Sequence, residues 1–522
     1  MKVSIGLDFG HNYTYIGFVH GVDSSGQKQV QSLVATRYAT RGIPTLYWNN
    51  GKTELFGADA QRRFKNHPQF GVECIKAKLL EQRLMLGDKE YTPSDIVQRM
   101  LTRFLEDAAA MLRESYALSP DVLEVVMTVP VDFDQAQVRV LRSALESVKL
   151  SDGTTVEVKS VVQEPVASAV RYLDKHGKAD DYLLVFDLGG GTLDVALVKH
   201  EPNGDVPFRV IDQDGDRELG GRRWDEVMAG LLGRAFREQM GKPTSAALRR
   251  RLKTYAVDAK EQLSEAERVS LEIENEGNYI ELSITREQFE EASLDLAEYA
   301  VSVIRRITER QKDKKIGSLI LTGGGSYMPQ IEASIRAAHI LPKDTRIRCF
   351  HPERAIAEGA AILADAAAQT EKLPGLANIA PHGYGIVETV SQRSDEPLLR
   401  IFIRKNDPLP ASADGASVMG NLPEERRRRS IYGIYETDVL KESSDPYEKG
   451  CYAVIGGIPY TAIYQGREVL TAILTRPSPV PAGTPVKETL TLNESLQLSF
   501  EAEDTVNNAG IRRQINIENR RS

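Results

Sequence analysis

Two aspartates carry the first chemical signal in this chain. Asp8 closes the apolar run of VSIGLDFGHNYTYIGFV (Val3–Val19), and Asp187 closes that of YLLVFDLGGGTLDVALV (Tyr182–Val198). In both, Asp-x-Gly is followed by a polar or Gly-rich turn and a second β-rich run, the signature of a strand–turn–strand unit. The glycine beside each carboxylate lets backbone N–H groups come close to an anion. One such carboxylate reads as a turn residue. Two copies read as a pair facing each other across a cleft, suited to a magnesium ion that keeps its waters while it binds phosphates. The plain alternative is two ordinary β-hairpins. Glu164 adds a third carboxylate. It precedes Pro165 at the mouth of a helix and follows the short strand Val161–Val162, a position where α/β folds bind ligands and where a capping carboxylate is the simpler reading. A fourth signal is SLILTGGGSYMPQIEASI (Ser318–Ile335), in which a buried strand enters Gly323, Gly324 and Gly325 and a helix starts near Pro329. Strand, glycine turn and helix form a phosphate- or nucleotide-approach loop. The stretch has neither the Lys-Ser/Thr pair of a P-loop nor the glycine spacing of a dinucleotide fingerprint.

The elements that must position these groups alternate between helix and strand. Thr92 and Pro93 mark a helix start, and Ile96, Met100, Phe104 and Met111 recur at helical spacing. Asp121–Val129 reads as a buried strand ended by Pro130, with a helix over about 135–148 after it. Leu248–Leu263 is a charged amphipathic helix, and Thr285 with Gln288 forms a capping box for a helix predicted over about 286–310. Past about residue 370 the texture changes. Residues 371–381, with Pro374 and Pro381, read as a linker, and residues 382–522 carry short strands at regular spacing, which predicts a β-sandwich. The fold expectation is therefore α/β over 1–370, then the linker, then a β-domain.

Composition narrows the function classes. With 522 residues the chain holds about three or four compact units, or two larger ones. Its formal charge of −8 lacks the basic balance of a dedicated nucleic-acid binder. No apolar run approaches the ~20 residues of a membrane span, and Asp8 interrupts the N-terminal apolar stretch too early for a signal peptide. Cys74, Cys349 and Cys451 are too few and too scattered for a disulfide framework or a zinc site. The expectation is a reduced, cytoplasmic protein with no nucleic-acid or membrane partner. The basic run Arg426–Arg429, beside Glu424 and Glu425, reads as a solvated loop.

Taken in order, these stretches resemble the actin-like ATPase fold and, more narrowly, the DnaK-type heat shock protein 70 chaperones. The resemblance rests on GLDFG (Gly6–Gly10), TVPVDF (Thr128–Phe133), QEPVASAVRYL (Gln163–Leu173), VFDLGGGTLDVAL (Val185–Leu197), LGGRRWD (Leu219–Asp225), LTGGGSYMP (Leu321–Pro329) and HPERAIAEGAA (His351–Ala361). It covers residues 1–370 densely and the rest thinly. It implies a two-lobed domain that binds ATP or ADP with Mg2+. Asp8 and Asp187 would hold the ion through its waters, and Glu164 and Asp194 would join that network. Lys76, with Lys78 as the alternative, would orient the attacking water and the terminal phosphate. Gly189, Gly190 and Thr192 would line the phosphates, and Gly10, Gly220 and Gly221 would also bind the nucleotide. Lys260 and Ser264 would reach the ribose and base, Gly323, Gly324 and Gly325 would lie under the adenosine, and Glu353 would stand at its far edge. Phosphoryl transfer depends on charge neutralisation and positioning, which these residue types supply.

The sequence departs from the family pattern. His11 and Asn12 stand where two threonines are usual; Asn12 can donate to a phosphate oxygen, and His11 can when protonated. Val257 replaces a ribose-binding glutamate. Glu261 and Tyr327 sit near positions where many members sandwich adenine between arginines; Tyr327 can stack on a base, whereas Glu261 offers no cation–π contact. FIRKNDPLPASA (Phe402–Ala413) and LNESLQLSFEAED (Leu492–Asp504) resemble the family's peptide-binding domain, and no lid-length helical segment follows them. The leading expectation is an ATP-hydrolysing chaperone whose nucleotide state controls the binding of unfolded or extended polypeptides, with a co-chaperone or exchange factor as further partner. The alternatives are a nucleotide-switched adaptor holding one dedicated protein partner, and a small-molecule kinase or filament on the same fold.

Overall fold

A computed structural model describes residues 1–24, 26–33, 42–130, 133, 135–176, 182–201, 208–275, 278–370, 376–377, 380, 382–388, 397–418, 423, 427–455, 457–493, 498–504 and 509–514. Chain contacts divide the protein into two compact units, the first holding nearly all of residues 1–375 and the second holding 376–522 with the short stretches 133–139 and 209–211.

The first unit is built from one sheet pattern used twice. In the N-terminal copy, strand Lys2–Phe9 pairs antiparallel with Tyr13–Val22 on one side and parallel with Val122–Val129 on the other, which pairs parallel with Thr155–Gln163. In the second copy, Tyr182–Leu188 pairs antiparallel with Leu193–His200 and parallel with Ile316–Thr322, which pairs parallel with Arg346–Cys349. The two Asp-x-Gly motifs therefore occupy equivalent places, each at the turn of the hairpin next to a parallel strand. Ile5, Leu7, Phe9, Leu183, Val185 and Phe186 are fully buried. Near-continuous apolar runs of this kind belong to strands covered on both faces.

Helices cover those faces. The helix Ala355–Thr370 packs on both strands of the first hairpin and against Glu164–His176. Small residues allow this. A Cβ on Gly359 would stand 1.8 Å from the carbonyl oxygen of Ala167, and one on Gly6 would stand 2.2 Å from the backbone nitrogen of Ala361. Local start signals act as the sequence predicts. Thr92 accepts from the backbone N–H of Asp95 ahead of Pro93–Tyr116, and Thr285 with Gln288 forms a capping box. The single helix predicted over 286–310 is instead two, Arg286–Ala292 and Leu294–Arg310. Ser293 divides them, its hydroxyl donating to the Phe289 carbonyl at 2.7 Å, a bond back to the preceding turn that bends helices. The short strand expected at Val161–Val162 is the end of the longer Thr155–Gln163.

The second unit consists of two sheets. One runs in the order Lys441–Glu442, Cys451–Ile455, Ile458–Ala462, Leu398–Ile403, Gly383–Glu388, Arg429–Thr437 and Gly466–Thr475, and the other in the order Ala411–Val418, Pro485–Leu492, Leu498–Asp504 and Ala509–Gln514. Alternation along Pro485–Leu492 is nearly strict, with Val486, Leu490 and Leu492 buried. Tyr432 of the first sheet packs on Phe500 of the second, ring centroids 5.1 Å apart. Most of the predicted linker, residues 371–375, 378–379 and 381, lies outside the described residues, as do Glu424, Glu425 and Arg426 of the basic run; Arg429 opens a strand. The three cysteines are free thiols. Among the described residues, no helix is long and apolar enough to cross a membrane.

Candidate functional site

The turns of both hairpins open into one cleft in the first unit. It gathers Asp8 and Asp187 with Glu164, Lys76 and Thr192, and most of the glycines singled out from the sequence. Gly10, His11 and Asn12 line it from the first hairpin turn, Gly189 and Gly190 from the second, and Gly323, Gly324, Gly325 and Tyr327 from the third glycine turn. Gly221, Lys260, Ser264 and Glu353 complete the predicted set. Two predicted residues do not line it. Gly220 lies behind the second hairpin, where a Cβ would meet Gly191 backbone atoms at 2.4–2.6 Å. Asp194 is fully buried and accepts a hydrogen bond from the Thr192 hydroxyl at 3.1 Å.

Local geometry explains why these side chains meet. Asp187 stands opposite Asp194 across the second hairpin, whereas Asp8 stands opposite Tyr15 in the first. The duplicated frame thus places two carboxylates in one copy and one in the other. Glu164 opens the helix that follows Thr155–Gln163. Lys76 sits on a short 3-10 turn, Ile75–Lys78, and is 1% exposed. Its ammonium is 3.0 Å from Glu164 Oε1. Lys78, two residues on, is half-buried and does not line the cleft. The glycine hairpin is tied to the start of the helix Gly221–Met240, since the backbone N–H groups of Gly221 and Arg222 donate to the carbonyls of Gly189 and Gly190 at 2.9 and 3.0 Å. Lys260 is held by Asp225 at 2.7 Å.

The electrostatics are dominated by crowded, buried acids. Burial, then repulsion by Glu164, pushes the Asp8 carboxyl up to about 7, against the pull of Lys76 and a Thr128 hydrogen bond. Burial, then Glu164 and Asp8, pushes Asp187 well above the ordinary range. Carboxylates in this condition gain from a cation. Glu164, Asp187 and Asp194 bring ligand oxygens within 4.8 Å of one another, and Asp187 Oδ1 is buried with no hydrogen-bond partner among the described residues. This hard-oxygen donor set fits a magnesium ion. The glycine turns fit a ligand pressed against backbone. Gly323 has φ 77°, and a Cβ there would lie 2.4 Å from Asp187 Oδ1, so only glycine lets the third turn approach that carboxylate.

His11 and Asn12 sit inside this arrangement. A Cβ on Gly191 would be 2.7 Å from the His11 ring, and one on Gly190 would be 2.5 Å from the Asn12 amide nitrogen. Burial, then Lys76 and Arg222, lowers the His11 pKa to about 3. The imidazole is therefore neutral at physiological pH, and the protonated donor considered from sequence is not the form present. Sequence reasoning missed Tyr13, Tyr15, Glu265, Met328, Pro352 and Ile356, which also line the cleft. Alternation along Tyr13–Val22 was the available signal for the tyrosines.

The duplicated sheets and the acidic cleft they share make a mixed α/β unit, consistent with the actin-like ATPase fold. The family model described as Hsp70 protein matches residues 56–412, and the chain belongs to that family. It is similar to the heat shock 70 kDa protein 2 of Paracoccidioides lutzii and to the heat shock 70 kDa protein of Emericella nidulans, 29% identical to each over 419 residues. Those matches cover 74% of this chain and 62% of each relative, so the chain spans under two thirds of the length of the curated relatives it matches.

Proposed function

We propose that this protein binds a purine nucleoside triphosphate, ATP in the first instance, with Mg2+ in the duplicated-hairpin cleft and hydrolyses it, and that nucleotide state sets the affinity of the C-terminal β-unit, read as a peptide-binding sandwich, for extended polypeptides. One observation carries the reading: the unpartnered, buried Asp187 Oδ1 stands in a cleft where Glu164, Asp194 and Asp8 crowd around it and Lys76 supplies the buried cation. In this reading the ion is held by Asp8, Glu164, Asp187 and Asp194, partly through its waters, and when bound it neutralises charge on the transferring phosphoryl group. The protein's own groups do the rest. Lys76, fixed by Glu164, orients the attacking water and the terminal phosphate. Thr192, its hydroxyl donating to Asp194, and the backbone at Gly10, Gly189, Gly190 and Gly221 line the phosphate chain, the Gly189 and Gly221 N–H groups being bonded to the carbonyls of Thr192 and Gly189. Backbone at Gly323–Gly325 makes room for the nucleoside, with Lys260 and Ser264 near its sugar and base.

A second reading, a nucleotide-held adaptor for one protein partner with little turnover, draws support from His11 and Asn12. A neutral ring and an amide cover the glycine hairpin where hydroxyls would leave more room. Magnesium-dependent ATP hydrolysis by the parent, its loss in Asp187→Asn with the fold retained, and capture of many unrelated clients in a nucleotide-dependent way would support the chaperone reading. Hydrolysis at the parent rate by Asp187→Asn would refute the site. Capture of one stoichiometric partner would establish the adaptor.

A further inference from the structure

His11 is a cleft group that the proposed hydrolysis leaves without a task. It sits on the turn of the first hairpin, lines the cleft and is 9% exposed. No hydrogen bond, ion pair or ring contact holds its imidazole among the described residues. Its neighbours are held, Lys76 by Glu164 and the Thr192 hydroxyl by Asp194. A buried polar ring with no partner is costly to the fold, and a ligand group entering the cleft relieves that cost. The position of the ring says which group. It faces the second hairpin, where a Cβ on Gly191 would be 2.7 Å away, and it lies within electrostatic reach of Lys76 and Arg222. The third glycine turn, with Tyr327, forms the part of the cleft read as the nucleoside site. His11 therefore belongs to the part read as holding the terminal phosphate.

We propose that His11 is a phosphoryl acceptor, so that the protein transfers the terminal phosphoryl group of its bound nucleotide to its own imidazole. The proposal rests on the reading of the cleft as a nucleotide site, and it adds a second fate for the phosphoryl group beside transfer to water. In the step, the lone pair of one ring nitrogen forms the N–P bond. The P–O bond to the bridging oxygen breaks, and its electron pair leaves on the diphosphate. The proton on the other ring nitrogen passes to water, which gives N-phosphoimidazole and ADP. Attack of water on the N–P bond then returns the free ring and phosphate. A neutral imidazole carries its lone pair already, whereas a hydroxyl nucleophile needs a base. Lys76 and Arg222 oppose protonation of the ring, and the same two cations favour a phosphoryl group beside it. The competing acceptor is the Thr192 hydroxyl, for which Asp194 stands as a base.

The test is to incubate the full chain with Mg2+ and ATP labelled in its terminal phosphoryl group, quench samples in alkali and in acid, and map the label by mass spectrometry. Phosphoimidazole survives alkali and breaks down in acid, whereas a threonine phosphate survives acid, so the two quenches separate the acceptors. The expected result is an alkali-stable, acid-labile label on the peptide that holds His11. That label should fall to background in His11→Gln, while calorimetry still shows ATP binding to the variant. If the variant does not fold, the position mapped in the parent decides alone. Only an acid-stable label on Thr192, an acid-labile label that persists in folded His11→Gln, or no label on a parent that binds ATP would overturn the proposal and leave the nucleotide site standing. If the parent does not bind ATP, both readings fall together.

Discussion

Removing the Asp8 carboxylate should make the metal-free protein more stable above neutral pH while abolishing the proposed ATP hydrolysis. The reason lies in the raised pKa. A carboxyl that ordinarily titrates near 3.8 is pushed to about 7 by burial and by Glu164. A group whose folded pKa is raised contributes stability that is fully present below the unfolded pKa and is lost as pH rises through the folded one. For Asp8 that window runs from about pH 4 to about pH 7. At about 1.4 kcal/mol for each pH unit of that window, the ceiling is near ~4 kcal/mol. Asp8→Asn keeps the shape, does not titrate, and also relieves the repulsion felt by Glu164 and Asp187. That ceiling already includes the repulsion by Glu164 and the attraction of Lys76; the amide replaces the protonated carboxyl imperfectly, so a net gain of about 2 kcal/mol at pH 8.5 is expected. Thermal unfolding in EDTA, followed at pH 5 and pH 8.5, reads the effect as a first transition a few degrees higher in the variant at pH 8.5, with most of that advantage lost at pH 5, a unit inside the window. Saturating Mg2+ and nucleotide should reverse the order, because the parent alone gains the full binding free energy. A variant no more stable than the parent at pH 8.5, or an advantage equal at the two pH values, would refute the reasoning. Such a trade between stability and function is the usual mark of charges gathered for a ligand.

Lys76→Ala should keep nucleotide binding and lose most single-turnover hydrolysis, while Lys78→Ala should change neither, since only Lys76 is buried against Glu164; calorimetry beside rapid-quench rates checks both. Gly359→Ala should destabilise the first unit by more than about 3 kcal/mol or prevent its folding, because the added methyl would stand 1.8 Å from the Ala167 carbonyl; urea unfolding reads it. In the second unit, Arg476 and Asp504 form an ion pair with both side chains fully buried. Arg476→Ala should therefore cost about 3–5 kcal/mol by taking the arginine from a buried carboxylate, whereas Arg476→Met combined with Asp504→Leu should recover most of that loss in the same assay.

Signals spanning a few residues are legible in the chain itself. The Thr285–Gln288 capping box and the Thr92–Pro93 helix start satisfy backbone groups within three positions, and the Asp-x-Gly hairpins close at Phe9–Thr14 and Leu188–Leu193, five positions apart, so neighbours in sequence suffice to start them. The duplication is legible for the same reason, since its two copies repeat one local pattern. The break at Ser293 is not. Apolar periodicity continues through it, and the backbone yields to a single side-chain hydrogen bond. Nor could sequence choose between Lys76 and Lys78. Both lie on one short turn, and what separates them is that one meets Glu164, 88 positions away, with both side chains buried. The acid crowding around Asp187 likewise exists only once strands distant along the chain converge. Residue types determined what chemistry was available. Burial and long-range proximity decided which groups share a dielectric low enough to act on one another, and those follow from packing.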